Sequence, residues 1–201
     1  MAKLYFKFGA MGSSKTANAL MTKFNYEEKG QNVWLIKPSI DTRDDIVIEG
    51  VKKTIVKSRI GLSAEAQVIS QDEDIVKTFS ALHKWYSINV IICDECQFLT
   101  TEQVDQLKYL TSKVNIPVLC FGLRSDFRTK LFDGSKRLFE IADSISEIKS
   151  ICRCGAKAIV NARFDSDGNI VTDGKQVDIG GNEKYEAMCW DCYQNRINRA
   201  K

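Results

Sequence analysis

The sequence has little of what would keep a chain extended or carry it into a membrane. It contains two prolines in 201 residues, and it has no low-complexity tract or internal repeat, which argues against long disordered linkers. No apolar run approaches the roughly 20 residues that a membrane-spanning helix needs. The first residues also lack the apolar core of a signal peptide. We therefore expect a cytoplasmic globular protein of one domain with a small appendage, and no membrane partner.

Net charge and histidine are scarce as well. A formal net charge of +3 is too small to indicate a nucleic-acid partner, although it is compatible with a local positive site for a nucleotide. His83 is the single histidine. It falls in a predicted helix beside Lys84, and we interpret it as a structural or surface residue. The chemistry is therefore expected to come from other side chains.

A segment of small residues precedes the first predicted helix. It follows an apolar run from Leu4 to Phe8 and consists of Gly9, Ala10, Met11, Gly12, Ser13, Ser14, Lys15 and Thr16. A strand, such a loop and a helix together form the setting in which backbone N–H groups bind phosphate. Lys15 would reach the β- and γ-phosphates, and Thr16 would offer a hydroxyl to Mg²⁺. An ordinary turn rich in Gly and Ser is the alternative interpretation.

Ser14 departs from the usual phosphate-loop pattern, which has glycine before the lysine. A side chain at this position costs roughly 1–2 kcal/mol if the residue must adopt a left-handed conformation. Gly12 offers another place for part of the tight turn. The departure leaves phosphate binding as a hypothesis that the rest of the chain must support.

Apolar runs alternate with helical stripes through the first three quarters of the chain. Strands are predicted at residues 3–8, 33–36, 67–69, 89–93, 117–123 and 144–148. Helices are predicted from Lys15 to about Lys29, after residues 72–74, after Thr100 and near residues 138–141. The first strand is expected to be central and buried.

Residues 39–58 are polar and only weakly periodic. One interpretation is a solvated excursion such as a hairpin. The other is a mobile segment above the phosphates, because Arg43 follows the carboxyl end of the second predicted strand, where ligands bind in open α/β sheets. Both interpretations stay open.

The predicted strand at residues 89–93 ends in two acids, Asp94 and Glu95. In phosphate-loop enzymes such a strand buries its body and presents a carboxylate beside the loop. Asp94 would hold the hydration shell of Mg²⁺, and Glu95 could accept a proton. The alternative is that two acids at a strand end favour solubility alone.

Seven cysteines in a cytoplasmic chain indicate thiols or metal ligands rather than disulfides. Two pairs about 35 residues apart predict a zinc site formed by Cys152, Cys154, Cys189 and Cys192. The first pair is one residue short of the usual C-x₂-C. Cys93, Cys96 and Cys120 lie in or beside predicted strands and are expected to be buried thiols.

Taken together, these stretches resemble the thymidine kinases of the small, zinc-bearing, tetrameric type over nearly the whole chain. The markers are Gly9-Ala10-Met11 with Ser13, Lys15 and Thr16; Lys37-Pro38 with Asp41 and Arg43; Ser58-Arg59-Ile60-Gly61-Leu62; Asp94-Glu95-Cys96-Gln97-Phe98; the aromatic segment after Phe121; and Ile179-Gly180-Gly181 with Tyr185. The resemblance implies an α/β fold: a RecA-like phosphate-loop core with a parallel sheet, and a zinc-binding domain whose lasso loop covers the nucleoside. With the composition change at Ser150, it divides the chain into a core (1–149), a zinc and lasso domain (150–193) and a tail (194–201).

The resemblance also implies roles for single residues. Glu95 matches the catalytic base, Lys15 matches the phosphate lysine, and Thr16 and Asp94 match the Mg²⁺ positions. The positions matched to ATP are Gly9, Ala10, Met11, Gly12, Ser13, Ser14, Lys15, Thr16, Asp41, Arg43, Asp94 and Gln97. The positions matched to thymidine are Met11, Phe98, Leu123, Phe127, Phe132, Gln176, Val177, Asp178, Ile179, Gly180 and Tyr185.

The implied reaction moves the γ-phosphoryl group of ATP to the 5′-hydroxyl of thymidine and yields dTMP. ATP, Mg²⁺ and a structural Zn²⁺ are the implied cofactors, with a homotetramer and feedback inhibition by dTTP. The alternative is a nucleic-acid-dependent ATPase with a zinc ribbon, which the short chain and its small net charge disfavour. A nucleotide-binding protein without catalysis is a third possibility, motivated by Ser14.

Overall fold

The structure is a computed structural model of the chain. It describes residues 1–42, 46–48, 51–176 and 184–199, and for residues 46–48, 51, 52 and 199 it describes the backbone alone. Arg43 and residues 177–180, to which the sequence resemblance gives ligand-binding roles, lie outside the described residues.

The six strands and four helices that the sequence predicts are all present, whereas the other short strands and the last helix were not predicted. The strands are β1 (Leu4–Phe8), β2 (Val33–Pro38), β3 (Ile46–Ile48), β4 (Val51–Lys53), β5 (Ile55–Lys57), β6 (Ser63–Glu65), β7 (Gln67–Ile69), β8 (Val90–Cys93), β9 (Val118–Gly122), β10 (Ser144–Glu147), β11 (Ser150–Ile151), β12 (Lys157–Ala158), β13 (Val160–Phe164), β14 (Ile170–Val171) and β15 (Tyr185–Met188). The α-helices are α1 (Lys15–Glu27), α2 (Ile75–Tyr86), α3 (Thr101–Tyr109), α4 (Asp133–Ile141) and α5 (Trp190–Arg199). Within the described ranges, no helix combines the length and apolar character that crossing a membrane requires.

The core is a parallel six-stranded sheet with the strand order β10-β1-β9-β8-β2-β7. This confirms the predicted α/β fold with a parallel sheet. The prediction that β1 is central is wrong, because β1 lies second from one edge and β9 and β8 occupy the centre. Every residue of β8 and β9 is buried, whereas β1 is only partly covered. Because the strands are parallel, their carboxyl ends meet at one edge of the sheet.

Helix α1 packs on the sheet through a narrower face than its apolar stripe predicts. Ala17, Ala19 and Leu20 are buried. Met21 and Phe24 belong to the predicted stripe, yet they are 46% and 63% exposed. The buried contacts of α1 therefore lie in its first half, next to the loop that precedes it.

Helix α3 begins with the capping box that the sequence predicts. The Thr100 hydroxyl accepts a hydrogen bond from the Gln103 N–H, and the Gln103 side chain accepts one from the Thr100 N–H, both at 3.2 Å. Val104, Leu107 and Leu110 are fully buried, as predicted. This helix covers the sheet beside β8 and β9.

The polar stretch after β2 contains two antiparallel hairpins. Strands β3 and β4 pair with each other, and β5 pairs with β6. Hairpins are therefore present in this region for the described residues, and the alternative, a mobile segment above the phosphates, stays a prediction. Val56 of β5 is 2% exposed and packs against α1 and the central strands, which holds the second hairpin against the core.

Residues 150–176 and 184–199 form a C-terminal unit with its own small core. Strand β13 lies between β14 and β15 in an antiparallel sheet, and β11 pairs with β12. Its buried side chains include Val160, Met188 and Tyr193, and Ala10 of the glycine-bearing loop packs among them. The unit therefore packs directly on the loop between β1 and α1.

Candidate active site

A cavity of about 570 Å³ opens at the carboxyl edge of the sheet. Most of the predicted site residues line it: Met11, Gly12, Ser14, Lys15, Thr16, Asp41, Asp94, Glu95, Gln97, Phe98, Leu123, Phe127, Phe132, Gln176 and Tyr185. Gly9, Ala10 and Ser13 are not among the lining residues and are buried. The structure thus brings together side chains that are up to about 170 residues apart in sequence.

The loop between β1 and α1 has the shape of a phosphate loop. Gly12 has φ 74° and Ser14 has φ 61°, so the chain turns through the left-handed region at both positions. Helix α1 begins immediately afterwards at Lys15, and the Ser14 side chain makes no capping hydrogen bond to it. The N–H groups of the first turn and the positive end of the helix dipole are thereby left for an anion.

Lys15 lies under this loop and close to both acids. Its ammonium group donates to the Ala10 carbonyl oxygen at 2.9 Å and to the Ser13 hydroxyl at 3.4 Å. Burial lowers the pKa of Lys15, whereas the negative charges of Glu95 and Asp94 act in the opposite direction. The lysine can therefore exchange its loop contacts for phosphate oxygens without leaving the cavity.

Asp94 is buried at the end of β8. Burial, followed by the negative charge of Glu95, raises the pKa of Asp94 to about 7, and a hydrogen bond from Thr16 acts against this rise. A carboxylate in such surroundings is stabilised by a cation. Hydroxyl and carboxylate oxygens are ligands that suit Mg²⁺, so Thr16 and Asp94 fit the predicted metal position.

Glu95 follows Asp94 in a left-handed conformation with φ 52°. Such a conformation is costly for a residue with a side chain and is found most often at functional sites. The Gln97 amide nitrogen donates to Glu95 Oε2 at 2.6 Å, and the Gln97 amide oxygen accepts from the Leu123 N–H at 2.9 Å. A side chain at Gly122 would place its Cβ 2.6 Å from that amide oxygen. Gln97 is therefore fixed in one orientation, and it fixes Glu95.

Part of the cavity lining is aromatic. The rings of Phe98 and Phe132 meet edge to face with their centres 5.6 Å apart. Phe127 is 1% exposed and also lines the cavity, together with Leu123 and Met11. This wall has the apolar character that a flat base requires.

Two further charged groups lie beside the phosphate loop. Asp41 is buried, with its Oδ2 3.5 Å from the Lys37 Nζ. Arg59 projects toward the loop: its Nη1 is 3.5 Å from the position that a Cβ on Gly12 would occupy. The positive charge of Arg59 also contributes to the lowered pKa of Lys15. Arg59 is therefore placed to add positive charge near the loop.

Four cysteines from the two ends of the C-terminal unit converge. The sulfur atoms of Cys152, Cys154, Cys189 and Cys192 all lie within 4.8 Å of one another, and those of Cys154 and Cys189 are 3.6 Å apart. Tetrahedral zinc with Zn–S bonds of about 2.3 Å has its sulfurs about 3.8 Å apart. Backbone N–H groups at Cys154 and Cys189 lower the pKa of Cys152 to about 7, whereas hydrogen bonds with the other three cysteines raise the pKa of Cys192 to about 12. The sulfurs of the cluster thus share protons when no metal is bound, and the distances between them carry the comparison with zinc. The cluster fits zinc despite its short first pair.

The other three cysteines are buried free thiols, as predicted. Burial is the largest cause of the raised pKa at both Cys93 and Cys96. These two side chains therefore stay protonated and pack in the core beneath the acids.

The cavity also contains residues that the sequence does not single out. Asn161 on β13 is buried; its side-chain oxygen accepts from the Met11 N–H at 2.8 Å, and its nitrogen donates to the Ser125 carbonyl oxygen at 2.9 Å. Ser125 and Asp126 line the cavity as well. The one available signal is an asparagine within the otherwise apolar stretch 158–162.

The family profile and the individual relatives that match this chain all carry the same description. The sequence profile of the family described as "Thymidine kinase" matches residues 2–193. A thymidine kinase from Vibrio cholerae serotype O1 is 44% identical over 199 residues, which cover 99% of this chain and 100% of the relative. The thymidine kinase of Photorhabdus laumondii subsp. laumondii is 44% identical over 201 residues, covering 100% and 96%. That of Shewanella oneidensis is 43% identical over 189 residues, covering 94% and 95%. This chain belongs to the thymidine kinase family.

Proposed function

We propose that the protein transfers the γ-phosphoryl group of ATP to the 5′-hydroxyl of thymidine and releases dTMP and ADP. The observation that carries the proposal is the single cavity in which a phosphate loop, two acids and an aromatic wall meet. The loop suits a triphosphate, and the wall suits a nucleoside base. Glu95 and Asp94 line the same cavity.

The phosphate side of the proposed mechanism depends on positive charge and N–H groups. The first turn of α1 and the Lys15 ammonium would bind the β- and γ-phosphates, and Arg59 would add charge from the side. Thr16 and Asp94 would hold Mg²⁺, which when bound neutralises charge on the phosphates. Asp41 would orient groups near the phosphates through Lys37, its partner at 3.5 Å. Arg43 is also proposed to lie near the phosphates of ATP.

Proton transfer is the proposed role of Glu95. The 5′-hydroxyl is a weak nucleophile, and a carboxylate within hydrogen-bond reach would accept its proton as the phosphoryl group transfers. The Gln97 amide donates to Glu95 Oε2 at 2.6 Å, and this contact would hold the carboxylate in position for the 5′-hydroxyl.

The thymidine side of the cavity would enclose the base. Met11, Phe98, Leu123, Phe127 and Phe132 would form its apolar surroundings. Gln176 and Tyr185 line the cavity from the C-terminal unit. The lasso residues Val177, Asp178, Ile179 and Gly180 are proposed to complete the site, and exclusion of water by this cover would prevent hydrolysis of ATP.

The same proposal covers the structural metal, regulation, cellular location, assembly and domain bounds of the protein. The four clustered cysteines would hold a structural Zn²⁺, dTTP would act as a feedback inhibitor, and the protein would work in the cytoplasm as a homotetramer. We further propose a core of residues 1–149 and a zinc and lasso domain of residues 150–193. Helix α5 continues across residue 193 into the proposed tail 194–201.

The proposal is tested by incubating the purified protein with thymidine, Mg²⁺ and labelled ATP. We expect labelled dTMP to form, and ATP consumption to depend on thymidine. ATP hydrolysis that DNA stimulates and thymidine does not would favour the zinc-ribbon ATPase. Nucleotide binding without turnover of any nucleoside would favour a protein that has lost catalysis.

A further inference from the structure

Arg163 on β13 contacts Phe127, an aromatic residue that lines the cavity, but does not line the cavity itself. Its guanidinium group lies 3.9 Å from the centre of the Phe127 ring. Arg163 is two positions after Asn161 in the strand, so both side chains leave the same face of β13. At this distance the cation lies over the face of the ring, which is a favourable contact. Arg163 thus supports the residue that forms part of the base-binding wall.

The same guanidinium holds residues 173–176, which we call the strap. Arg163 Nη1 donates to the Lys175 carbonyl oxygen at 3.3 Å, and its Nη2 lies 3.5 Å from the Asp173 carbonyl oxygen. Arg128 donates to the Gly174 carbonyl oxygen at 3.3 Å. Three successive carbonyl groups of the strap are therefore bound by two arginines.

A buried acid completes this arrangement. The Asp126 side chain has no exposed area, and its Oδ2 accepts from Arg128 and, at 3.1 Å, from the Gln176 amide nitrogen. Gln176 lines the cavity and is the last described residue before the lasso. The strap thus leads from the two arginines directly to the cavity mouth.

We infer that Arg163 is a positioning residue for the nucleoside: it holds Phe127 in the wall and the strap at the mouth of the cavity. This inference rests on the proposed function. Lysine would not replace arginine, because an ammonium group lacks the planar fork that donates to two carbonyl groups while stacking on a ring. Arg163 is not itself among the residues that line the cavity, so its action passes through Phe127 and Gln176.

The test compares Arg163→Met with the wild-type enzyme in steady-state kinetics for both substrates. We expect the KM for thymidine to rise about tenfold, with the KM for ATP and kcat within about twofold of wild type. Arg163→Lys should recover only part of the loss. A general loss of structure would instead change both KM values and kcat together.

Arg196→Met is the matched control. The Arg196 guanidinium lies 5.0 Å from the ring of Phe164, the residue next to Arg163 in sequence, and neither residue lines the cavity. We expect this variant to keep wild-type KM values for both substrates, although it also loses an arginine–ring contact with β13. If Arg163→Met does not fold, Gly174→Ala tests the strap, because φ is +123° there and a Cβ would lie 3.0 Å from Arg163 Nη2.

The outcomes separate the inference from the proposed function. A wild-type protein that makes no dTMP refutes the proposed function. A wild-type protein that makes dTMP, together with an Arg163→Met or Gly174→Ala variant whose KM for thymidine is unchanged, overturns the inference alone. Equal increases in both KM values would also overturn it, since a positioning role toward the nucleoside predicts a selective effect.

Discussion

At the scale of single residues, Ser14 carries strain that its position in the loop imposes. It takes the left-handed conformation with φ 61° that the usual glycine would take more easily. Gly12 shares the turn but does not remove the need for it at Ser14. The strain remains in the protein because the loop must present its N–H groups toward the cavity.

Replacing Ser14 with glycine should therefore stabilise the protein. Relief of about 1–2 kcal/mol of left-handed strain exceeds the extra entropy of glycine in the unfolded chain, so we expect a net gain of up to about 1 kcal/mol in the free energy of unfolding. Urea unfolding measures it. The control Ser13→Gly concerns a buried neighbour without positive φ and should lose stability. A Ser14→Gly variant less stable than the wild type would contradict the inference that the left-handed conformation of Ser14 costs stability.

Asp94, like Ser14, lowers the stability of the folded protein. Its pKa is about 7 in the folded protein against a usual 3.8. Between these values the unfolded chain has lost the proton while the folded protein retains it, so the contribution of Asp94 to stability falls as pH rises from about 4 to 7. Above that range the full penalty of the buried carboxylate applies.

Asp94→Asn should remove this penalty in metal-free buffer. We expect a gain of up to about 4 kcal/mol in the free energy of unfolding at pH 8, because the pKa of Asp94 is raised from 3.8 to about 7. The gain shrinks toward pH 4, where the folded protein keeps the carboxyl group protonated. Denaturant unfolding at pH 8 and pH 5 measures it. Asp105→Asn, which removes an exposed acid, should show no gain. An Asp94→Asn variant that is no more stable at pH 8 would contradict the account.

At the scale of elements, local patterns predict what local forces determine. The strand β8 with its acids, the loop before α1 and the capping box of α3 could all be predicted, because strand burial, phosphate-loop composition and capping act over a few residues. The edge where β1, β8 and β9 end also followed from parallel pairing. The position of β1 within the sheet did not, since strand order depends on packing that no short pattern records.

The residues that escaped prediction come from another element. Asn161 and Arg163 lie on β13, more than 60 residues from β8 in sequence. They meet Met11 and Phe127 because the C-terminal unit packs against the loop after β1 and against the segment after β9. Met21 and Phe24 were predicted to be buried and are exposed. An apolar helical stripe predicts the helix, but which part of the stripe is buried depends on the elements that cover it.

At the scale of the whole molecule, the C-terminal unit supports both halves of the cavity. Asn161 binds the phosphate-loop residue Met11, and Arg163 covers Phe127. The four cysteines join the β11–β12 hairpin to the segment around α5. A metal at the cysteines would therefore act on substrate binding at a distance, through the unit that it holds together.

Zinc removal should consequently weaken thymidine binding. We expect one zinc per chain, and a loss of more than about tenfold in thymidine affinity after chelation, because structural zinc contributes directly to folding in small units. Titration calorimetry without Mg²⁺ avoids effects of the chelator on catalysis, and restored affinity after zinc is added back provides the control. Full affinity in the zinc-free protein would mean that the metal does not organise this part of the site.

The proposed mechanism has Glu95 at the carboxyl edge of the sheet, where it would deprotonate thymidine beside the bound triphosphate. The most direct measurement is single-turnover phosphorylation of thymidine by Glu95→Gln, with thymidine binding measured in parallel. We predict a rate at least about 100-fold below wild type and an affinity for thymidine within about twofold. Near-normal phosphorylation by this variant would contradict the claim, because no carboxylate would then be needed at that position.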